Sequence, residues 1–194
     1  SFYAALSLGL AVIFGMLNII NFSHGAQYMM GAFIAWLGLT QVGGWIGSPD
    51  FQLNYWVVLL LAPLVVGAFG VVIERTMLAR LYKLDHLYGL LLTFGIALII
   101  EGLFRYFYGV SGQQYEIPEV LQGAINLGFM FLPKYRAWVI VASLTVCFTT
   151  WYVIERTKLG SYLRAGTENP RLVQAFGVNV PLIITLTYGF GVAL

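Results

Sequence analysis

The segment Asn21-Phe22-Ser23-His24-Gly25, followed by Gln27, sets polar side chains and a glycine between two apolar stretches. Amide, hydroxyl and imidazole groups at this spacing can exchange hydrogen bonds with a polar solute. Asn and Ser also compete for their own backbone, and Gly25 permits unusual dihedrals, so a helix can unwind here. Unwound backbone is tolerated at membrane depth only where it is buried in protein or lines a cavity. The segment is read in two ways. Asn21, Ser23, His24 and Gln27 border a solute pathway, or they form an ordinary loop between two spans with His24 a structural hydrogen-bonding residue.

A second polar stretch, residues 155–181, is too long and too patterned for a simple turn and is expected to hold one or two short helices. Asn169 can cap a helix with Pro170 at its first position, and Leu172, Val173 and Phe176 then form an apolar stripe that Gly177 can end. Such a helix needs something to bury that stripe, either a partner protein or the bilayer surface with neighbouring loops. Glu101 and Arg105, spaced i, i+4 with the acid first, can pair on one helix face. They either line a pathway or snorkel at the outer end of a span, where Tyr106 and Tyr108 mark an interface.

Covalent chemistry finds no footing. The chain has no Walker A pattern, no H-E-x-x-H, no nucleophile elbow and no dinucleotide fingerprint, so an enzyme is not expected and no metal site is read. If ATP energises the protein, another polypeptide must bind it. Cys147 is alone and lies in an apolar run, which excludes an intrachain disulfide framework. A net charge of +2 with its cations in short stretches offers no basic face to nucleic acid.

The elements that would position these residues follow from composition. Of 194 residues, 60% are hydrophobic and 9% charged, against roughly 25% charged in soluble domains. Lipid is the expected solvent, and each apolar run approaches the ~20 residues needed to cross a ~30 Å hydrocarbon core. Spans are read at residues 2–20, 26–39 (short), 56–73, 87–108 and 137–154, with a sixth apolar segment starting at Leu182. The fold class is thus an all-α integral membrane protein, a polytopic helical bundle with about five to six spans present. Residues 1–194 are read as a single transmembrane domain that is a fragment, since the chain opens inside an apolar run and stops in another. Further C-terminal spans are expected in the whole protein. Ser7, Ala11 and Gly15 recur every four residues along the first span, either a spacing that lets another helix approach or chance, since Gly and Ala are common in membrane helices.

Seven of the ten Lys and Arg residues lie in two loops, Arg75, Arg80 and Lys83 in one and Arg156, Lys158, Arg164 and Arg171 in the other. Two spans separate these loops, so both face the same side, read as cytoplasmic. Val72-Ile73-Glu74-Arg75-Thr76 is echoed by Val153-Ile154-Glu155-Arg156-Thr157, as a remnant of duplication or as the common charged ending of two helices.

Two motifs carry a family likeness. Residues 15–25, Gly-Met-Leu-Asn-Ile-Ile-Asn-Phe-Ser-His-Gly, are similar to a "G-hydrophobic-x-x-INFAHG" signature, with Ser23 in place of the usual Ala. Arg156-Thr157-Lys158-Leu159-Gly160, then Arg164-Ala165, Glu168-Asn169-Pro170, Ala175 and Gly177-Val178-Asn179, resemble a cytoplasmic loop of the same family. The chain resembles the membrane permease subunits of ABC importers for branched-chain amino acids, of which urea and short-amide permeases are close relatives. The resemblance implies a multi-pass protein of a bacterial or archaeal plasma (inner) membrane. It implies that Gly160, Arg164, Ala165, Glu168, Asn169, Pro170, Ala175 and Gly177 belong to a loop that docks on ATP-binding cassette subunits. It also implies a second permease subunit and a periplasmic or extracellular solute-binding protein as partners, with membrane lipid around the spans. No cofactor is expected on this chain, ATP being used by the partner subunit, and the motion implied is alternating access. A secondary transporter or channel working without ATP is the other reading.

Overall fold

The computed structural model of the protein describes residues 2–17, 20–42, 53–82, 84–113, 117–126, 128 and 131–194. Helices α1 (Phe2–Leu17) and α2 (His24–Thr40) flank the polar break. Three long apolar helices follow, α3 (Tyr55–Leu81), α4 (His86–Tyr108) and α5 (Lys134–Arg156), each long and apolar enough to cross a membrane. Two short helices, α6 (Lys158–Glu168) and α7 (Pro170–Ala175), lead to α8 (Val180–Ala193). The architecture is all-α and polytopic, as the composition requires. Large apolar side chains such as Leu91, Ile99 and Phe148 stand exposed on the outer faces of α4 and α5. In water that surface would be an anomaly, whereas lipid accepts it without cost.

The core lies where α1, α2, α3, α4 and α8 meet, around Ile13, Val66, Ile73, Ile96, Tyr188 and Val192. Helix α8 packs against both α3 and α1, and α2 against α3 and α4. Glycines set the spacing. A Cβ on Gly70 would lie 3.0 Å from the Val192 side chain, and one on Gly67 would lie 3.0 Å from the Gly189 carbonyl oxygen. In a bilayer, such close approach supplies the dispersion contacts that hold helices together.

Several expectations change. The stripe Ser7, Ala11 and Gly15 faces outward, and a Cβ on Gly15 would meet nothing within 4 Å. The close approach on α1 instead uses Gly9 and Ile13, which meet Gly191 of α8. Helix α3 does not stop at Glu74 but runs on to Leu81, with residues Glu74–Leu78 in a π-helical turn. Glu74 need not leave the protein to find donors, because hydroxyl groups reach it inside. The long loop after α4 holds a 3-10 turn at Glu119–Leu121 and an antiparallel hairpin, β1 (Ala124–Asn126) with β2 (Phe131–Pro133), in which Ile125 pairs with Leu132. Gly123 and Gly128 take positive φ at its ends, a conformation that glycine adopts without a Cβ penalty. The stretch at residues 41–54, with Gly43, Gly44, Gly47, Pro49 and Asp50, has the composition of a loop, and residues 43–52 of it lie outside the described residues, as do Ser1, Asn18, Ile19 and Lys83.

Candidate functional site

The break between α1 and α2 is a closed hydrogen-bonded knot. Asn21 is its hub: its Oδ1 accepts from the Ser23 backbone N–H at 3.0 Å and from the Ser23 hydroxyl at 2.6 Å, and its Nδ2 donates to Gln27 Oε1 at 3.1 Å. The first pair is a local turn of the kind that makes Asn compete with helix. The Ser23 carbonyl accepts from the Gln27 N–H at 2.9 Å, which starts α2. Phe22 N donates to Thr93 Oγ1 of α4 at 3.3 Å, so a backbone donor freed by the unwinding is met by a neighbouring helix.

Asn21, Ser23, His24 and Gln27 are all buried, and the sequence-selected pathway residues therefore sit together in the interior. His24 turns from the knot toward α1, where its Nε2 lies 3.0 Å from the Leu6 carbonyl oxygen. A carbonyl only accepts, so Nε2 carries the proton, and a neutral ring then presents Nδ1 as an acceptor. Among the described residues, Nδ1 of His24, Nε2 of Gln27 and the hydroxyl of Tyr188 are buried without a hydrogen-bond partner. Tyr188, on α8, lies beside the Gln27 and Ser23 side chains without meeting full hydrogen-bond geometry.

Sequence reasoning missed three groups at or near this knot. Thr93 and Tyr188 are polar residues of types common in membrane helices, and neither stands out in its apolar run. Glu74, read as the charged end of a span, is buried, with Oε1 accepting from Tyr82 Oη at 2.9 Å and Oε2 from Thr185 Oγ1 at 2.6 Å. The only available signal was its five-residue echo around Glu155, and there the structures diverge. Glu155 is exposed and pairs with Arg164 Nη1 at 3.2 Å.

The second candidate region is ordered by its own chain. Gly160 of α6 sits so close to the Ile154 carbonyl of α5 that any Cβ would overlap it. Arg164 Nη1 reaches the same carbonyl at 3.3 Å. Asn169 caps α7 by accepting from Leu172 N at 3.2 Å, with Pro170 at the helix start, as its sequence predicts. Gly177 ends the turn at φ +80°. The expected stripe divides: Val173 is buried in the chain itself, while Leu172 and Phe176 remain exposed, Phe176 at 80%. Ala165, Glu168 and Ala175 are exposed too. Leu163 of α6 is buried, and with Leu159 it closes one side of an apolar cavity of about 200 Å³ against Val12, Ile154, Ile183 and Phe190. Helix α6 touches α1, α5 and α8, so the short helices are joined mechanically to the helices that carry the knot. Glu101 and Arg105 do pair, at 2.6 Å, on an exposed face. Among the described residues no group of three or more His, Cys, Asp or Glu gathers to hold a metal.

A family described as the branched-chain amino acid transport system permease component matches residues 1–194. BraD, a high-affinity branched-chain amino acid transport system permease protein of Pseudomonas aeruginosa, is 27% identical over 199 residues, covering 100% of this chain and 64% of its own length. LivH of Escherichia coli, which bears the same description, is 22% identical over 205 residues with the same coverage. A probable LivH permease of the archaeon Methanocaldococcus jannaschii is 27% identical over 184 residues, covering 90% of this chain and 54% of its own. No solved structure matches. The chain spans less than two thirds of the length of these relatives. It belongs to the family of branched-chain amino acid transport permease components.

Proposed function

We propose that the chain is the membrane-spanning permease part of an ABC importer that moves branched-chain amino acids by alternating access, driven by ATP hydrolysis on a separate subunit. The observation that carries this reading is the buried knot at the α1–α2 break, where Asn21, Ser23 and Gln27 sit among apolar helices with donor and acceptor capacity left over. Polar groups at that depth are costly and are retained where a solute must pass. In this reading Asn21, Ser23, His24 and Gln27 border the pathway, which is shut in the conformation described. The relatives named for branched-chain amino acid transport support the solute class.

Coupling would run through α6 and α7. Gly160 and Arg164 pin α6 to the end of α5, Asn169 and Pro170 start α7, and Gly177 ends it. Ala165, Glu168, Ala175 and the exposed Phe176 then offer the outer surface to the ATP-binding subunit. A push on α6 is delivered directly to α1 and α8, whose crossing lies against His24. A second permease subunit and a solute-binding protein outside the plasma membrane complete the assembly. The chain supplies no catalysis and needs no cofactor of its own.

The experiment is affinity purification of the full-length protein from its own membranes in mild detergent, with mass spectrometry of what accompanies it. Recovery of an ATP-binding cassette protein is expected. Recovery of neither that nor a solute-binding protein would overturn the importer reading in favour of a secondary transporter or channel.

A further inference from the structure

Glu74 is a buried acid held by neutral donors alone among the described residues. Its side chain is 1% exposed, yet the ion pairs among the described residues are Glu101 with Arg105 and Glu155 with Arg164, and Glu74 is in neither. Two hydroxyls hold it, Tyr82 Oη on one oxygen and Thr185 Oγ1 on the other. Burying an acid on neutral donors is costly by comparison with an apolar side chain of similar volume. The echoed Glu155 stands in the same Val-Ile-Glu-Arg-Thr sequence and is exposed, so that sequence does not itself demand burial.

The surroundings of Glu74 are equally specific. It opens the π-helical turn of α3, a local widening of the helix that is frequent at functional positions. Thr185 and Tyr188 are three residues apart on α8 and so share a face. Tyr188 lies within electrostatic reach of Glu74 on one side and beside Gln27 and Ser23 on the other. A polar row therefore runs from the knot at the α1–α2 break, through Tyr188, to the Glu74 carboxylate. Among the described residues its knot end holds donors without a partner, Gln27 Nε2 and the Tyr188 hydroxyl, and its other end holds a carboxyl group that no cation meets.

We infer that Glu74 recognises the α-ammonium group of a zwitterionic amino acid, while Gln27 and Tyr188 serve its carboxylate. The inference rests on the permease reading above and names the residue that selects amino acids within it. Donors at one end and a carboxylate at the other suit a molecule carrying both charges. An uncharged amide such as urea can donate to the carboxylate but brings no charge to pair with it. In the closed conformation Tyr82 and Thr185 occupy the Glu74 oxygens, and they give way to the ammonium when α8 moves from α3. Glu74 is thus a specificity residue for the solute.

The test uses the full-length permease purified with its partner subunits, without the solute-binding protein. Binding of radiolabelled leucine is measured by scintillation proximity, in competition with the hydroxy acid that carries a hydroxyl where leucine has its ammonium. Wild type is expected to prefer leucine about tenfold or more, the scale of a charge-assisted hydrogen bond. Glu74→Gln is expected to bring the two ligands to near-equal affinity, and Glu74→Asp to keep a preference. Loss of both ligands in equal proportion in Glu74→Gln, an unchanged preference, or no leucine binding to wild type overturns the inference. Should Glu74→Gln fail to assemble, Thr185→Val decides: freeing one carboxylate oxygen is expected to tighten leucine binding, and unchanged or weaker binding overturns it. ATP-dependent leucine uptake by the wild-type complex tests the permease reading separately. Uptake with an unchanged preference in Glu74→Gln would leave that reading standing while removing this one.

Discussion

Gly9 of α1 and Gly191 of α8 cross with no room for a side chain on either. A Cβ on Gly9 would strike the Gly191 carbonyl and come within 2.9 Å of the His24 ring, and one on Gly191 would lie 3.2 Å from the Gly9 carbonyl oxygen. The backbones of two helices and the imidazole of the break are packed as one unit. Gly9→Leu is expected to destabilise the protein by about 1–3 kcal/mol through overpacking, read as a fall in thermal midpoint of the full-length protein in detergent. Gly15→Ala, on the open face of the same helix, is expected to leave that midpoint unchanged or slightly raised.

The knot at the break should respond in a graded way. Asn21→Ala leaves the Ser23 N–H, the Ser23 hydroxyl and Gln27 Oε1 without their partner. Each buried group left unmet costs about 1–3 kcal/mol, so a large loss of thermal stability is expected. Ser23→Ala removes one hydroxyl and keeps the backbone bond to Asn21, and a loss of about 1 kcal/mol or less is expected. Equal effects of the two substitutions would contradict the hub role of Asn21.

How much of this was legible in the sequence depended on which force placed each residue. Spans, the capped α7 and the Glu101–Arg105 pair follow from local rules, namely apolar run length, Asn-Pro at a helix start and i, i+4 spacing. The grouping of Asn21, Ser23 and Gln27 is local as well, being closed within seven residues of chain. The rest is set across the fold. Thr185 meets Glu74 over a separation of 111 residues, and Thr93 meets Phe22 over 71. Nothing in either segment marks its partner. On α1, spacing alone does not tell which of several small residues a neighbour approaches, and within this chain that choice was made by Gly191.

Phe176 separates stability from coupling. Its ring is 80% exposed on the turn after α7, so Phe176→Ala is expected to shift stability by no more than about 0.5 kcal/mol. If that ring docks on the ATP-binding subunit, solute-stimulated ATP hydrolysis by the purified complex should fall severalfold while basal hydrolysis persists.

Gly160 is expected to behave differently. The Ile154 carbonyl leaves no space for a Cβ, so Gly160→Leu should break the α5–α6 corner, whereas replacement of the exposed Ala165 by Leu should leave the corner intact. Limited proteolysis between α5 and α6 checks this, with faster cleavage expected only in the Gly160 variant. Both variants are expected to insert in the membrane and to uncouple transport from ATP hydrolysis, the first by losing the lever and the second by blocking its contact.

The central claim is that this chain is the permease of an ATP-driven amino acid importer, and reconstitution tests it most directly. The full-length protein is placed in liposomes with its co-purified subunits and solute-binding protein, and uptake of radiolabelled leucine is followed with and without ATP on the cytoplasmic side. Accumulation above the external concentration that requires ATP is the expected result. Leucine uptake indifferent to ATP, or ATP-driven uptake of urea with none of leucine, would contradict the account.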